Sequence, residues 1–253
     1  MIKFFRHIRK RLISENKFTK YLAYAFGEII LVVIGILIAL QINTSNQDRI
    51  NSNLEKELLI NLKNEFITNQ SILKNMIQNH EAIKTGCDDF LKIVGPENKP
   101  IDELEFDLLV GQSGWTPSYS PQKGVLNSTL NSGKISLIKN DSLVFSLSSL
   151  SSPEKGYYET VGLINKLTEE SIIPLLLKNY SYMNMQTGKY TSKTRSNFKT
   201  DQAVILQDQE FESLLYLKKL NTTVAIDNAN NLFDAQESIL NLIDVELKKH
   251  SND

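Results

Sequence analysis

The stretch Tyr21–Ile42, YLAYAFGEIILVVIGILIALQI, runs for 22 residues with one charged side chain, Glu28. At about 1.5 Å rise per residue a helix of this length covers the roughly 30 Å hydrocarbon core of a bilayer. The other segment type with such a run, a cleaved signal peptide, has an apolar region of only about 7–15 residues ending at small side chains. Here the run is longer, and the following LQINTSNQD offers poor small-residue positions. The expectation is a retained transmembrane helix over 21–42.

Charge sets the orientation. Residues 1–20 hold seven Lys/Arg against Glu15 alone, leaving 21 basic and 28 acidic residues in the rest of the chain. The positive-inside rule then places residues 1–20 in the cytoplasm and residues 43–253 outside it. Within 1–20, Phe4, Phe5, Ile8 and Leu12 share a helical face while Arg6, Arg9, Lys10 and Arg11 point elsewhere, which suits a basic amphipathic segment lying on membrane lipid. An acidic body lacks the basic face that nucleic acid requires, so that partner is excluded. Cys87 is the single cysteine; no disulfide within the chain and no cysteine-based metal site can form, and the expected place for it is the core.

Glu28 lies roughly 12 Å along the helix from Lys20. Tyr21, Tyr24, Gly35 and Ala39 project onto the same face, so a carboxylate, two phenols and two small residues point one way. The spacings Ala23/Gly27 and Gly35/Ala39 let another backbone approach. Tyr24, Glu28, Gly35 and Ala39 are therefore the candidate contacts for a second copy of the chain or another membrane protein. Glu28 either tunes packing and insertion or serves a proton path.

Beyond the span, Leu58, Leu62, Phe66, Leu73, Met76, Ile83, Cys87, Leu91 and Val94 mark one face, with Asn69 and His80 filling two of its positions. These steps average 3.6, the period of a straight helix and not of a supercoil seam. One helix is expected over 45–94, bent near Gly86. GPENKP at 95–100 breaks it, GQSGWTPSYSP at 111–121 reads as a loop, and Ser120-Pro121 reads as the start of a short helix ending at NSG. KISLI is either a strand or a buried turn. KNDS and SPEK are further helix starts, Tyr157, Val161, Ile164, Ile172 and Leu175 carry an apolar face, and Pro174 should kink that helix. A polar loop over 184–207 precedes a final helix near 208–250, whose face Phe211, Leu215, Ala225, Ala229, Leu232, Leu240, Ile243 and Leu247 again reads as 3.6. The fold class expected is all-α: an N-terminal transmembrane helix followed by an elongated antiparallel helical bundle with long amphipathic helices.

No catalytic motif, phosphate-binding glycine loop or metal-ligand pattern is present, and His7, His80 and His250 are scattered. His80 on an apolar face reads as a hydrogen-bonded core histidine, and the acidic runs TEES and DQEFE as solvated helix faces. No cofactor or metal is expected. The loop with Trp115 and Tyr119 is the candidate binding surface at the far end of the bundle.

The opening MIKFFRHIRKRLISENKFTKYLAYAFGEIILVVIGILIALQIN resembles that of an uncharacterised family of bacterial single-span membrane proteins, classed as a domain of unknown function; LNSGKISLIKNDSL at 130–143 is similar to a second motif of that family. Members read INNWNE after the span where this chain reads INTSNQ, without the interfacial tryptophan. The resemblance implies an inner-membrane protein with its outer domain in the periplasm, and no activity. The function expected is a non-enzymatic scaffold, adaptor or sensor-like binding module; the alternative is an accessory subunit of a transport or ion-driven complex using Glu28.

Overall fold

A computed structural model describes residues 18–97, 99–186 and 191–252. The amphipathic segment with Phe4, Phe5, Ile8 and Leu12 on its apolar face lies outside the described residues, as do the side chains of Tyr21 and Ala23. The chain divides into two compact units, Met1–Glu57 and Leu58–Asp253. One uninterrupted helix, α1 (Phe18–Leu91), supplies residues to both. It contains no proline, so no backbone donor is missing along it.

In the first unit, every large apolar side chain from Phe26 to Ile42 is 47–66% exposed, on all sides of the helix. This stretch is long and apolar enough to cross a membrane, with a mean hydropathy of 2.5 over its 18-residue window.

The second unit adds α2 (Glu103–Ser113), α3 (Gly124–Asn131), α4 (Asp141–Ser149), α5 (Ser151–Leu167), α6 (Ile173–Leu176), α7 (Gln202–Leu206) and α8 (Gln209–Asn252), and the described residues contain no strand. The fold is all-α. Lys63 pairs with Asp244 at 2.6 Å, and 25 residues further along α1 Asp88 pairs with Lys219, 25 residues back along α8. The two long helices therefore run antiparallel in one constant register. α5 also runs opposite to α8, since Asn228 bonds Thr160 and Lys218 bonds Thr168.

The period of the long faces differs from the 3.6 read in sequence. On α1 the inward positions are Leu59, Leu62, Phe66, Asn69, Leu73, Met76, His80, Ile83, Cys87 and Phe90, all buried except the half-buried Met76. They alternate steps of three and four. Leu58 and Leu91 are only half-buried. On α8 the series Phe211, Leu215, Lys218, Thr222, Ala225, Ala229, Leu232, Gln236, Ile239, Ile243, Glu246 alternates likewise, while Leu240 and Leu247 are half-buried. Both helices thus carry a 3.5-residue seam, which stays on one side only when the helices coil left-handedly around each other.

Two cores result. The first gathers Phe66 and Leu73 of α1, Leu143 and Leu147 of α4, Tyr157 and Ile164 of α5, and Ala229 and Leu232 of α8. The second gathers Cys87 and Phe90 of α1, Phe106 and Val110 of α2, Ile172, Leu175 and Leu176 around α6, and Phe211 and Leu215 of α8. Phe90 meets Phe106 and Phe211 edge-to-face, with centroids 5.5 and 5.1 Å away. Gly86 causes no break; a Cβ there would lie 2.7 Å from Gln112 Cβ, so it admits α2 against α1.

Several local expectations shift. α2 occupies Glu103–Ser113, taking the first residues of the 111–121 loop; Asp102 caps it by accepting from the backbone N–H of Leu104 and Glu105. α3 starts at Gly124 and not at Ser120. KISLI forms a one-turn 3-10 helix (Lys134–Leu137), entered through Gly133 at φ 73°, where a side chain would be strained. Asn140 caps α4 as KNDS implies. Pro174 acts one turn upstream of itself: Thr168–Ile172 widens into a π-helical turn, joining α5 to α6 without a break where the proline ring would crowd a regular helix. Tyr157, Val161, Ile164, Ile172 and Leu175 are all buried. α7 interrupts the polar loop 184–207, with Ile205 and Leu206 buried; Asp208 caps α8.

Candidate functional site

On the apolar part of α1, Tyr24 is 45% exposed and Glu28 half-buried. Gly35 and Ala39 are exposed, and a Cβ added at Gly35 would meet nothing within 4 Å. The four candidates lie at steps of four, seven and four along one helix, which places them on a common face.

Inside the second unit, polar side chains occupy seam positions. Lys218 is 0% exposed, yet its Nζ donates to Thr168 Oγ1 at 2.9 Å and to the Trp115 carbonyl at 3.2 Å, with no carboxylate among its partners. Burial therefore pulls its pKa from 10.5 down to about 8, offset only by Cys87. Thr168 sits in the π turn and donates to the Ile164 carbonyl at 2.7 Å. Cys87, fully buried, has its thiol pushed up to about 11 by burial, so it stays protonated and unreactive.

His80 is fully buried with Nε2 3.0 Å from the Tyr157 hydroxyl, and burial lowers its pKa to about 4. It is the neutral, hydrogen-bonded core histidine its position implies. Tyr119 stacks against Tyr157 and Tyr158 with centroids 5.4 and 5.7 Å away, and accepts a 3.4 Å bond from Gln236 Nε2. The sequence pair Trp115 and Tyr119 is thus divided: Tyr119 is 5% exposed and part of the first core, whereas Trp115 is 48% exposed and held by its backbone carbonyl.

The chain just after Tyr119 is fixed from α1. Asn69 donates to the Gln122 carbonyl at 2.6 Å and accepts from the Gln122 N–H at 2.8 Å. One turn earlier, both oxygens of Glu65 accept from the backbone N–H of Val125 and Leu126, at 2.7 and 2.9 Å. A carboxylate from another helix thus caps α3, which has no cap of its own. Asn69 was visible as a polar residue on the apolar face; Glu65, one position before Phe66, gave no such signal.

A further cluster ties the loop after α6 to α2. Asp107, 1% exposed, accepts from Tyr180 at 3.1 Å and pairs with Arg195 at 2.7 Å; Arg195 also reaches Glu103 at 3.1 Å. Gly111 makes this possible, because a Cβ there would lie 1.8 Å from the Gln186 carbonyl oxygen. Among the described residues no group of three or more His, Cys, Asp or Glu could hold a metal ion.

Fold and side chains together define an all-helical protein with one exposed apolar helical stretch and a polar seam within its bundle. The model of a family of unknown function, DUF6090, matches residues 28–197, and the chain belongs to that family. Neither the curated proteins nor the solved structures compared with it gave a match.

Proposed function

We propose that this is a non-enzymatic, single-pass protein of a bacterial inner membrane, with its N-terminus in the cytoplasm and the unit Leu58–Asp253 in the periplasm as a scaffold, adaptor or sensor-like binding module. The observation that carries the anchoring is the run Phe26–Ile42, whose large apolar side chains are exposed all round the helix. Exposing that many in water is unfavourable by roughly 1.5–3 kcal/mol for each Val, Leu, Ile or Phe that burial would shelter. Lipid removes the cost. The module reading draws on buried polar groups that are occupied structurally: Lys218 on Thr168 and a carbonyl, Asp107 on Tyr180 and Arg195, His80 on Tyr157.

The test is alkaline carbonate extraction of membranes from cells making the full chain, together with protease added to spheroplasts. Retention in the pellet with digestion of the C-terminal unit is the expected result. Release by carbonate, or protection of that unit, overturns the reading.

The open face at Gly35 favours a helix partner, either a second copy or another membrane protein. In the second reading, an accessory subunit of a transport or ion-driven complex, Glu28→Gln keeps the partner and abolishes activity. If the variant leaves a homo-oligomer intact and nothing else co-purifies, Glu28 serves packing alone.

A further inference from the structure

Where α6 ends, the chain from Leu177 to Tyr182 and the segment Phe198–Asp201 line an open cavity of about 430 Å³. The Asp201 N–H donates to the Asn179 carbonyl at 3.0 Å, which joins its two walls by a backbone bond. That volume lies in the usual range of small-molecule pockets, roughly 300–1,000 Å³. Three features of the lining stand out. Phe198 is 81% exposed, the most exposed large apolar side chain among the described residues. Tyr182, which stacks edge-on against Tyr180 with centroids 5.7 Å apart, keeps its hydroxyl shielded from solvent without a protein partner. Lys178 and Lys199 line the cavity, and neither forms an ion pair with a described residue. The single acidic side chain of the lining, Asp201, is engaged by the Val204 N–H at 3.3 Å.

We propose that this cavity binds a small organic acid with an aromatic part: the ring against Phe198 and the carboxylate between Lys178 and Lys199. An aromatic ring that finds no partner in its own protein loses water to a flat apolar ligand, and two lysines against one carboxylate leave the lining with a net positive charge that favours an anion over a neutral compound. The pocket gives the binding-module reading a ligand class and rests on it, though it does not depend on membrane insertion.

The probe is 1-naphthylacetate, titrated by calorimetry into the full chain in phosphatidylcholine nanodiscs, with empty nanodiscs as blank. The neutral alcohol 2-(1-naphthyl)ethanol is run beside it. Saturable binding of the acid at micromolar to low millimolar concentration is expected, weakened roughly tenfold in Lys178→Ala/Lys199→Ala, with the alcohol unaffected by that change. Phe198→Ala weakens both compounds. All three side chains project from the surface, so the variants retain the fold. No saturable heat with wild type up to about 2 mM, or equal affinity in wild type and both variants, overturns the proposal. Carbonate extraction is read on the cell membranes from which each chain is purified, so a failure of anchoring and a failure of the pocket are seen separately.

Discussion

His80 makes stability depend on pH in a definite direction. Unfolded, it titrates near 6.5; folded, burial holds it at about 4. Between those values the unfolded chain binds more protons, so the stability from keeping the imidazole neutral is complete above about 6.5 and drains away as pH falls toward 4. The slope is about 1.4 kcal/mol per pH unit, and the total on the order of 3 kcal/mol. Thermal melts of wild type and His80→Gln from pH 7 to 4 should show the variant much flatter; parallel curves would exclude His80 as the source. This residue was legible because a histidine at an apolar helical position reports its own burial. Glu65 was not. Its role depends on where the backbone of Val125 and Leu126 comes to rest, and no pattern near position 65 carries that information. Trp115 and Tyr119, four apart in one loop, looked alike in sequence and separated because Gln236 and the rings of Tyr157 and Tyr158 claim only the tyrosine.

Among elements, existence and type of the long helices were readable, and their period was not. Adjacent apolar pairs at Leu58-Leu59 and Phe90-Leu91 offered two choices at each end of the α1 face, and the outer pair stretches 3.5 to 3.6. Polar residues at Lys218, Thr222, Gln236 and Glu246 masked the α8 seam in the same way. α2 escaped notice although Asp102 followed three residues later by Glu105 is a capping signal. Lys218 is the costly member of the seam. Below about pH 8 it is charged in both states and the whole penalty of burying it stands, roughly 3 kcal/mol; from about 8 toward 10.5 the unfolded chain binds more protons and stability rises. Lys218→Met keeps the volume and loses two hydrogen bonds worth about 1 kcal/mol each. Desolvation wins, so the variant should melt higher by about 1 kcal/mol at pH 7 and lose the alkaline rise. A lower melting point would mean that the bonds to Thr168 and Trp115 outweigh the burial cost.

For the molecule, the two cores of the second unit share the same long helices, since α1 and α8 each contribute to both. They should melt together. Leu73→Ala in the first core and Phe90→Ala in the second are each expected to cost about 2–5 kcal/mol and to lower one common transition, seen alike by far-ultraviolet circular dichroism and tryptophan fluorescence. Two separated transitions, each moved by only one variant, would show that the cores unfold independently.

The unbroken alternation of threes and fours also leaves the antiparallel pair a choice. Sliding α8 along α1 by seven residues, about 10 Å, would again bring seam positions face to face. Such a slide would part Lys63 from Asp244 and Lys219 from Asp88 at once, and would carry the Lys218 ammonium from Thr168 and the Trp115 carbonyl into apolar surroundings. The lysine that weakens the fold is thereby the side chain that tells one alignment from the next. A Lys218→Met chain that melts higher should also be the one that settles into more than one alignment.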